Sequence, residues 1–287
     1  MNAEKRGVSH GRHHRIMAVL AATLLWAGMP AAQADDDVNL INSRGYVSLG
    51  TFLNNSDFQI KLNGNTAEGS NVDWKSEFGD KDVTRFRLDG LWRINDRHHV
   101  RFMYTDYARK ATHTIDHEIE WQDDLFPISA DVTAKQSFTI IEAAYEYAFM
   151  HSENFELTGT AGLHYTTLSA SLKATVDDGT GGGGTVEIGG PASVDMPLPV
   201  VGARAMWRFG GNFYLDAQAQ YFAVSIDEVD GSIINYRAAF TWQPKKYIGV
   251  GIGYDSFNID VDVNKPRFDG SMDWTYSGPQ AFFNVSF

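Results

Sequence analysis

Between Asp35 and Phe287 apolar residues recur at every second position, and no stretch keeps a helical period. Successive side chains of a strand point to opposite faces, so each such segment is a strand with one apolar face. From Phe86 to Ile94 one face reads Phe86, Leu88, Gly90, Trp92 and Ile94, and the other Arg85, Arg87, Asp89, Leu91 and Arg93. Val201, Ala203, Ala205, Trp207 and Phe209 likewise oppose Gly202, Arg204, Met206 and Arg208. The chain even ends this way, with Ala281, Phe283, Val285 and Phe287 alternating against Gln280, Phe282, Asn284 and Ser286. A terminus is normally polar and frayed, so an apolar face at this one implies that it is paired into a sheet.

A soluble sandwich alternates too, with its apolar face inward. Connections and aromatic placement separate the two cases. Short turns fall at 95–98, 151–154, 210–212 and 244–246, and between them lie polar stretches near 63–82, 116–135, 176–195, 227–231 and 264–272. Short turns at one end and longer loops at the other are the pattern of a membrane barrel. Trp92, Phe149, Phe155, Trp207, Phe209, Phe213, Trp242 and Phe287 all fall beside the short turns, as an interfacial girdle requires. Tyr104, Tyr165, Tyr221 and Trp274 suggest a second girdle at the opposite strand ends.

These signals predict an all-β fold, a transmembrane antiparallel up-and-down barrel of ten strands, with eight and twelve as alternatives. The strands are predicted near 45–62, 83–94, 99–111, 136–149, 155–172, 197–209, 213–226, 232–243, 247–261 and 273–287. Lipid offers no hydrogen bonds, so such a sheet has to close on itself. The first strand is interrupted by Asn54, Asn55 and Ser56, and "FQIKLNG" could pair with "NVDWKSEFG" as an extra hairpin above the membrane.

Residues 1–34 read as a cleaved signal peptide, leaving 35–287 as a single barrel domain. Lys5, Arg6, Arg12 and Arg15 precede an apolar run from Ile16 to Met29, then Pro30 and the small-residue site Ala32-Gln33-Ala34. Export is therefore expected, to the outer membrane of a Gram-negative bacterium. The formal net charge of −12 argues against a nucleic-acid partner, whose affinity depends on basic contacts. No cysteine is present, which excludes disulfides and thiolate metal sites.

With these features in view the chain resembles the bacterial outer-membrane β-barrel proteins. "FFNVSF" is similar to the C-terminal signal that the barrel-assembly machinery reads in that group, carried here by Phe283, Val285 and Phe287. "TRFRLDGLWRINDRHHVRFMY" and "TIIEAAYEYAFMHSENFELTGTAGLHYTTLSASL" are similar to a proteobacterial outer-membrane barrel family of undefined function. The resemblance implies the fold and brings no catalytic residues. The acidic and histidine motifs of the omptin proteases are not seen, and there is no convincing match to the lipid A deacylases.

The face away from lipid carries Arg85, Arg87, Asp89, Arg93, Arg101, Glu142, Glu146, Glu156, Arg204, Arg208, Asp216, Arg237 and Asp255. In a narrow barrel such groups meet across the lumen as charge-assisted pairs. They form either a structural plug or a narrow ion path, and the plug is preferred because the bore is small. "HTIDHEIEWQDD" offers His113, His117, Glu118 and Glu120 at loose metal-ligand spacing, and reads as an acidic solvated loop holding no metal. "DDGTGGGGTVEIGG" lacks the Gly-Lys-Ser/Thr ending of a phosphate loop and reads as a flexible external loop. His164, with Ser169 and Ser171 beyond it, is the best start toward a hydrolase, although a triad is defined by geometry.

The expectation is thus a non-enzymatic structural or surface-interaction protein with no cofactor. A narrow channel and a lipid A-modifying or other envelope hydrolase are the alternatives. Its partners would be outer-membrane lipid and lipopolysaccharide, whose phosphates acidic loops could meet through divalent cations, and the barrel-assembly machinery.

Overall fold

The computed structural model describes residues 39–79, 83–177, 185–226, 229–265 and 268–287. Residues 1–34, read above as a signal peptide, lie outside them. Ten long strands form the barrel: β1 (Gly45–Leu62), β3 (Val83–Arg93), β4 (His98–Thr114), β7 (Asp131–His151), β8 (Phe155–Asp177), β10 (Pro191–Phe209), β11 (Phe213–Ile226), β12 (Val229–Lys245), β13 (Ile248–Lys265) and β14 (Phe268–Ser286). Each pairs antiparallel with its neighbours in chain order, and β14 returns to β1 to close the ring. Closure runs from Tyr46↔Ser286 to Leu62↔Gly270, and Gly45 and Phe287 exchange backbone hydrogen bonds below it. The chain end is therefore tied down.

Among the described residues five minor elements decorate the loop end. β2 (Asn71–Asp73) pairs with Gln59–Lys61 of β1, as the alternative hairpin anticipated, and runs into helix α1 (Trp74–Phe78). The Asp73 carboxylate caps α1 by accepting from the backbone N–H groups of Lys75 and Ser76. β5 (Ile119–Trp121) and β6 (Asp124–Phe126) form a small hairpin, and β9 (Thr185–Ile188) folds back on β8.

The short turns fall where the sequence placed them, but the strands climb further at the loop end. β7 starts at Asp131, β8 runs to Asp177 and β10 starts at Pro191, so much of what read as polar loop is strand. The reason is an inversion of polarity partway up the strands that reach the loop end. In β13, Ile248, Val250, Ile252 and Tyr254 face outward and Asp255 inward; above them Phe257, Ile259, Val261 and Val263 face inward while Asn258, Asp260 and Asp262 face outward. In β14, Ala281 and Phe283 are outward with Gln280 and Asn284 inward, yet Met272, Trp274 and Tyr276 are buried inside. The lower half is built as lipid demands, apolar out and polar in. The upper half is a collar built as water demands, polar out and apolar in.

From Phe155 to Tyr165 the outward apolar face of β8 spans about 25 Å at the usual rise and a ~40° tilt, the height of a lipid-facing belt. At its lower margin Trp92 and Phe287 rings lie 5.8 Å apart, Trp207 and Phe209 5.4 Å, and Phe209 and Phe213 6.2 Å. Phe149, Phe155 and Trp242 share that level and also point outward. Tyr104, Tyr165 and Tyr221 face outward at the upper margin, joined by Tyr236 and Tyr254. Trp274 does not belong to that girdle: it is 0% exposed and sits in the collar core.

Above the belt two seams open in the wall. Pairing of β3 with β4 stops at Arg87↔Thr105, and α1 packs over β4 there, held by Arg109, which donates to the carbonyls of Phe78 and Gly79. Pairing of β10 with β11 stops at Val201↔Tyr221 while β10 continues along β8 to Pro191↔Ser171. Pro191, Pro197 and Pro199 share one parity, so their missing N–H groups fall on one side of the strand and the ladder to β8 continues past them. The collar is thus two walls, β4-β7-β8-β10 and β11-β12-β13-β14-β1, facing each other across an apolar core.

Candidate functional site: a lumen closed at three heights

The floor lies at the short-turn end. Asn39 to Arg44 form a turn in which the Asn39 Oδ1 accepts from the backbone N–H of Ile41 (2.8 Å) and Asn42 (2.9 Å). This turn drives Leu40 and Ile41 into a cluster with Tyr46, Leu91, Met206 and Tyr214.

Above the floor lies a charged waist. Arg87 grips Asp89 through Nε (2.8 Å) and Nη2 (3.1 Å) and reaches Asp255 through Nη1 (2.8 Å), whose other oxygen accepts from Asn235 (3.1 Å). Arg101 donates to Glu146 (2.8 Å) and Glu142 (2.5 Å), and Glu142 also accepts from Gln220 (2.9 Å) and lies 2.9 Å from His164 Nε2. Arg204 binds both oxygens of Asp216 and donates to the Tyr46 hydroxyl at 2.7 Å. The next carboxylate, Glu146, is 3.6 Å from Arg204, and Arg237 lies 4.0 Å from Asp216. Lowest, Arg93 joins Glu156 (3.0 Å) to the Ser43 carbonyl of the floor, and Glu156 also meets His151 at 3.0 Å.

Eleven of the thirteen lumen residues read from the sequence are therefore brought together: Arg87, Asp89, Arg93, Arg101, Glu142, Glu146, Glu156, Arg204, Asp216, Arg237 and Asp255. The other two lie above and below this cluster. Arg208 stays at the rim, donating to the Gly211 carbonyl, because its level lies below the waist. Arg85 lies against aromatic rings, 3.5 Å from the centroid of Tyr107 and 4.7 Å from that of Phe138. It marks the level at which polar lumen gives way to apolar core, and a cation can meet that boundary through ring faces. Tyr46, His151, Gln220 and Asn235 were not singled out. Parity alone signalled Gln220 and Asn235; His151 ends β7 directly across from Glu156, past a register shift between Ala148 and Met150.

The third closure is the collar core. Phe138 and Trp274 ring centroids are 3.8 Å apart, Phe257 and Tyr276 5.1 Å, and Trp74 and Trp121 6.1 Å. α1 and β5 contribute Trp74 and Trp121 from the loops, so the loops themselves help fill the barrel mouth.

The chemistry candidates fare differently. His164 faces the lumen, 1% exposed, whereas Ser169 shares the outward parity of Tyr165, with Ser171 beside it, so a wall separates them from the imidazole. His117 meets Asp116 (2.8 Å) and Glu77 (3.6 Å), while the backbone N–H of Glu120 donates to Ser70. The Asp116 bond raises the His117 pKa and lowers that of Asp116. Among the described residues no group of three potential ligands gathers as a metal site. The Gly-rich segment 178–184 lies outside the described residues.

The architecture is that of a closed barrel with a lipid-height belt and a filled bore. No family model and no curated protein matches the chain, so the narrower likeness to the family of undefined function rests on the quoted segments alone. Solved structures do match. The outer membrane protease OmpT of Escherichia coli is 8% identical, with a TM-score of 0.56 over 85% of this chain and 96% of its own. The translocator domain of the autotransporter NalP from Neisseria meningitidis is 9% identical over 96% of both chains, with a TM-score of 0.44. Neisserial surface protein A is 14% identical, with a TM-score of 0.29 over 85% of this chain and 98% of its own. At these identities a likeness defines fold and not activity. The fold is that of a bacterial outer-membrane β-barrel.

Proposed function

We propose that this chain is a non-conducting integral protein of the Gram-negative outer membrane with a structural or surface-interaction role. In this reading the ten-stranded belt anchors a rigid collar that stands above the lipid. The observation that carries it is the triple closure of the lumen. An ion crossing the barrel would leave the Leu40–Ile41 floor, pass arginines already engaged by carboxylates, and then enter an apolar layer of Phe138, Phe257 and Trp274. Transfer of an unpaired ion into such a layer is prohibitive. The test is conductance of purified, refolded protein in planar bilayers. A flat trace is expected, and discrete, reproducible current steps would overturn the reading. The protease activity in the OmpT name belongs to that protein, and nothing in the arrangement around His164 repeats a nucleophile–base pair.

A further inference from the structure

The two collar walls differ in the charge they show to water: the β11–β1 wall shows a run of aspartates, whereas the β4–β10 wall mixes lysines with Asp106, Asp131 and Asp195. On the β11–β1 wall, Asp57, Asp260, Asp262 and Asp273 point outward. On the β4–β10 wall, three lysines gather around a hollow of about 620 Å³ whose lining includes Ala108, Lys110, Lys135, Ser137, Ser169 and Lys173. Lys110 stands directly opposite Lys135 across the β4–β7 ladder, and Lys173 pairs one rung further, opposite Thr133. Like charges placed directly across a strand pair repel and destabilise the sheet. Nearby acids relieve this only in part, with Glu187 acting on Lys135 as well as Lys173. Glu187 binds Lys173, Asp131 accepts from the Thr114 hydroxyl and Asp195 from the Thr167 hydroxyl. Among the described residues no carboxylate lies within ion-pair reach of Lys110 or Lys135. A chain of net charge −12 has acids to spare, yet it leaves this pair facing water over a floor of alanine and serine small enough to admit a guest.

The height of the hollow narrows what that guest can be. Tyr104, Ile141 and Tyr165 share a level at the top of the belt, and Lys110, Lys135 and Ser171 share a level six residues higher. That is about 15 Å along the barrel axis at ~3.4 Å per residue and ~40° tilt. The headgroup layer of a phospholipid leaflet is only about 5–8 Å thick. Phospholipid phosphates therefore lie below the lysines, and an anion at their level must be lifted by a sugar-bearing headgroup.

We propose that the Lys110–Lys135–Lys173 hollow is a binding site for phosphate groups on the saccharide portion of an outer-leaflet glycolipid. The proposal rests on the reading that the belt lies in the outer membrane. It replaces contact through acidic loops and divalent cations with direct contact through lysine.

The test uses refolded full-length protein in bilayers and the double variant Lys110→Ala/Lys135→Ala, with Lys61→Ala on the opposite wall as control. Both lysines of the pair are exposed, so the variants should keep the heat resistance of the folded barrel on a gel. Binding is measured by native mass spectrometry against four probes: lipopolysaccharide with a phosphorylated core, lipid A without core, phosphatidylglycerol, and inorganic phosphate. The expected result is that core-bearing lipopolysaccharide loses at least tenfold in affinity in the double variant and is unchanged in Lys61→Ala, while lipid A and phosphatidylglycerol are insensitive to both. Equal affinity of wild type and double variant for the core-bearing form would overturn the site. Inorganic phosphate competing at the same concentration as core-bearing lipopolysaccharide would assign the hollow to a soluble anion and overturn the glycolipid. Failure of the wild type to enter bilayers would instead overturn the membrane reading itself, which separates the two failures.

Discussion

The strands that climb past the Arg85 level obey opposite rules below and above it. Below it, a residue's outward neighbour is Leu, Val or an aromatic ring and its inward neighbour is charged. Above it, Asp260 and Asp262 face out while Ile259 and Val261 are buried. Backbone geometry is common to both halves, so solvent alone explains the difference. Lipid rewards apolar surface outside and forces polar groups to find one another inside, whereas water reverses both preferences. A barrel that changes rules midway has left the membrane midway.

The largest effect should come from breaking the waist. Arg101→Ala strands Glu142 and Glu146 side by side, each fully buried. Removing one partner of a buried pair costs about 3–5 kcal/mol. The urea midpoint of the folded barrel and its heat resistance on a gel should both fall; a loss below about 1 kcal/mol would mean that the carboxylates find water instead. Arg87→Ala is the same experiment on Asp89 and Asp255.

Breaking the collar should look different. Trp274→Ala removes a fully buried ring packed at tilted angles among Phe138, Phe257 and Tyr276, a change worth about 3 kcal/mol or more. The belt and waist do not touch that ring, so the loss should appear as faster trypsin cleavage above the belt with heat resistance retained. Simultaneous loss of both would show that belt and collar unfold as one unit.

A third pair of variants moves one charge along a single strand. Ile252→Arg puts a cation on the lipid face of β13 and should cost about 2 kcal/mol in bilayers. Asp260→Arg, eight residues up the same strand and facing the same way, should stay within about 0.5 kcal/mol. Equal costs would erase the boundary that the polarity inversion draws.

The sequence made the belt legible because belt positions combine two signals, period two and rings beside short turns. It also made most of the waist legible, since charge on the face opposite Trp92 or Trp207 has few alternatives. The collar was misread for a physical reason. Alternation survives the change of solvent unchanged in period, so "SMDWTY" still reads as a strand, but which face is buried depends on what lies outside it. Trp274 reads as a girdle ring on that account, and the rings of Phe138 and Tyr276 beside Arg85 go unread, because they belong to segments whose inward face has already turned apolar. Ser169 and His164 differ in parity, and that alone could have shown the two on opposite faces. Contacts of the floor turn depend on a loop path, which carries no period at all, and His151 meets Glu156 as its cross-strand partner after a register shift between Ala148 and Met150 interrupts the alternation of β7.

The smallest effect belongs to the loop end, and it tests whether that end is in water. The Asp123 carboxylate accepts from the backbone N–H of Asn65 (3.0 Å) and Thr66 (2.9 Å) and from the Thr66 hydroxyl (3.0 Å). These donors favour the charged form and hold its pKa at about 2. An unfolded aspartate titrates near 3.9, on the order of two units higher. A carboxyl depressed in the folded state contributes stability above the unfolded value and loses it as pH falls through the folded one. The latch between residues 63–66 and 122–124 should therefore hold at pH 5 and release between about pH 4 and 2. Amide exchange at Asn65 and Thr66, corrected for intrinsic rates, should accelerate across that window while the closure of β14 on β1 stays protected. In Asp123→Asn the two amides should already exchange fast at pH 5 and show no further transition. Unchanged protection of both amides at pH 2 in the wild type would sink the latch. A pH response confined to these residues would place the loop end in bulk solvent, where a single exposed carboxylate can titrate alone.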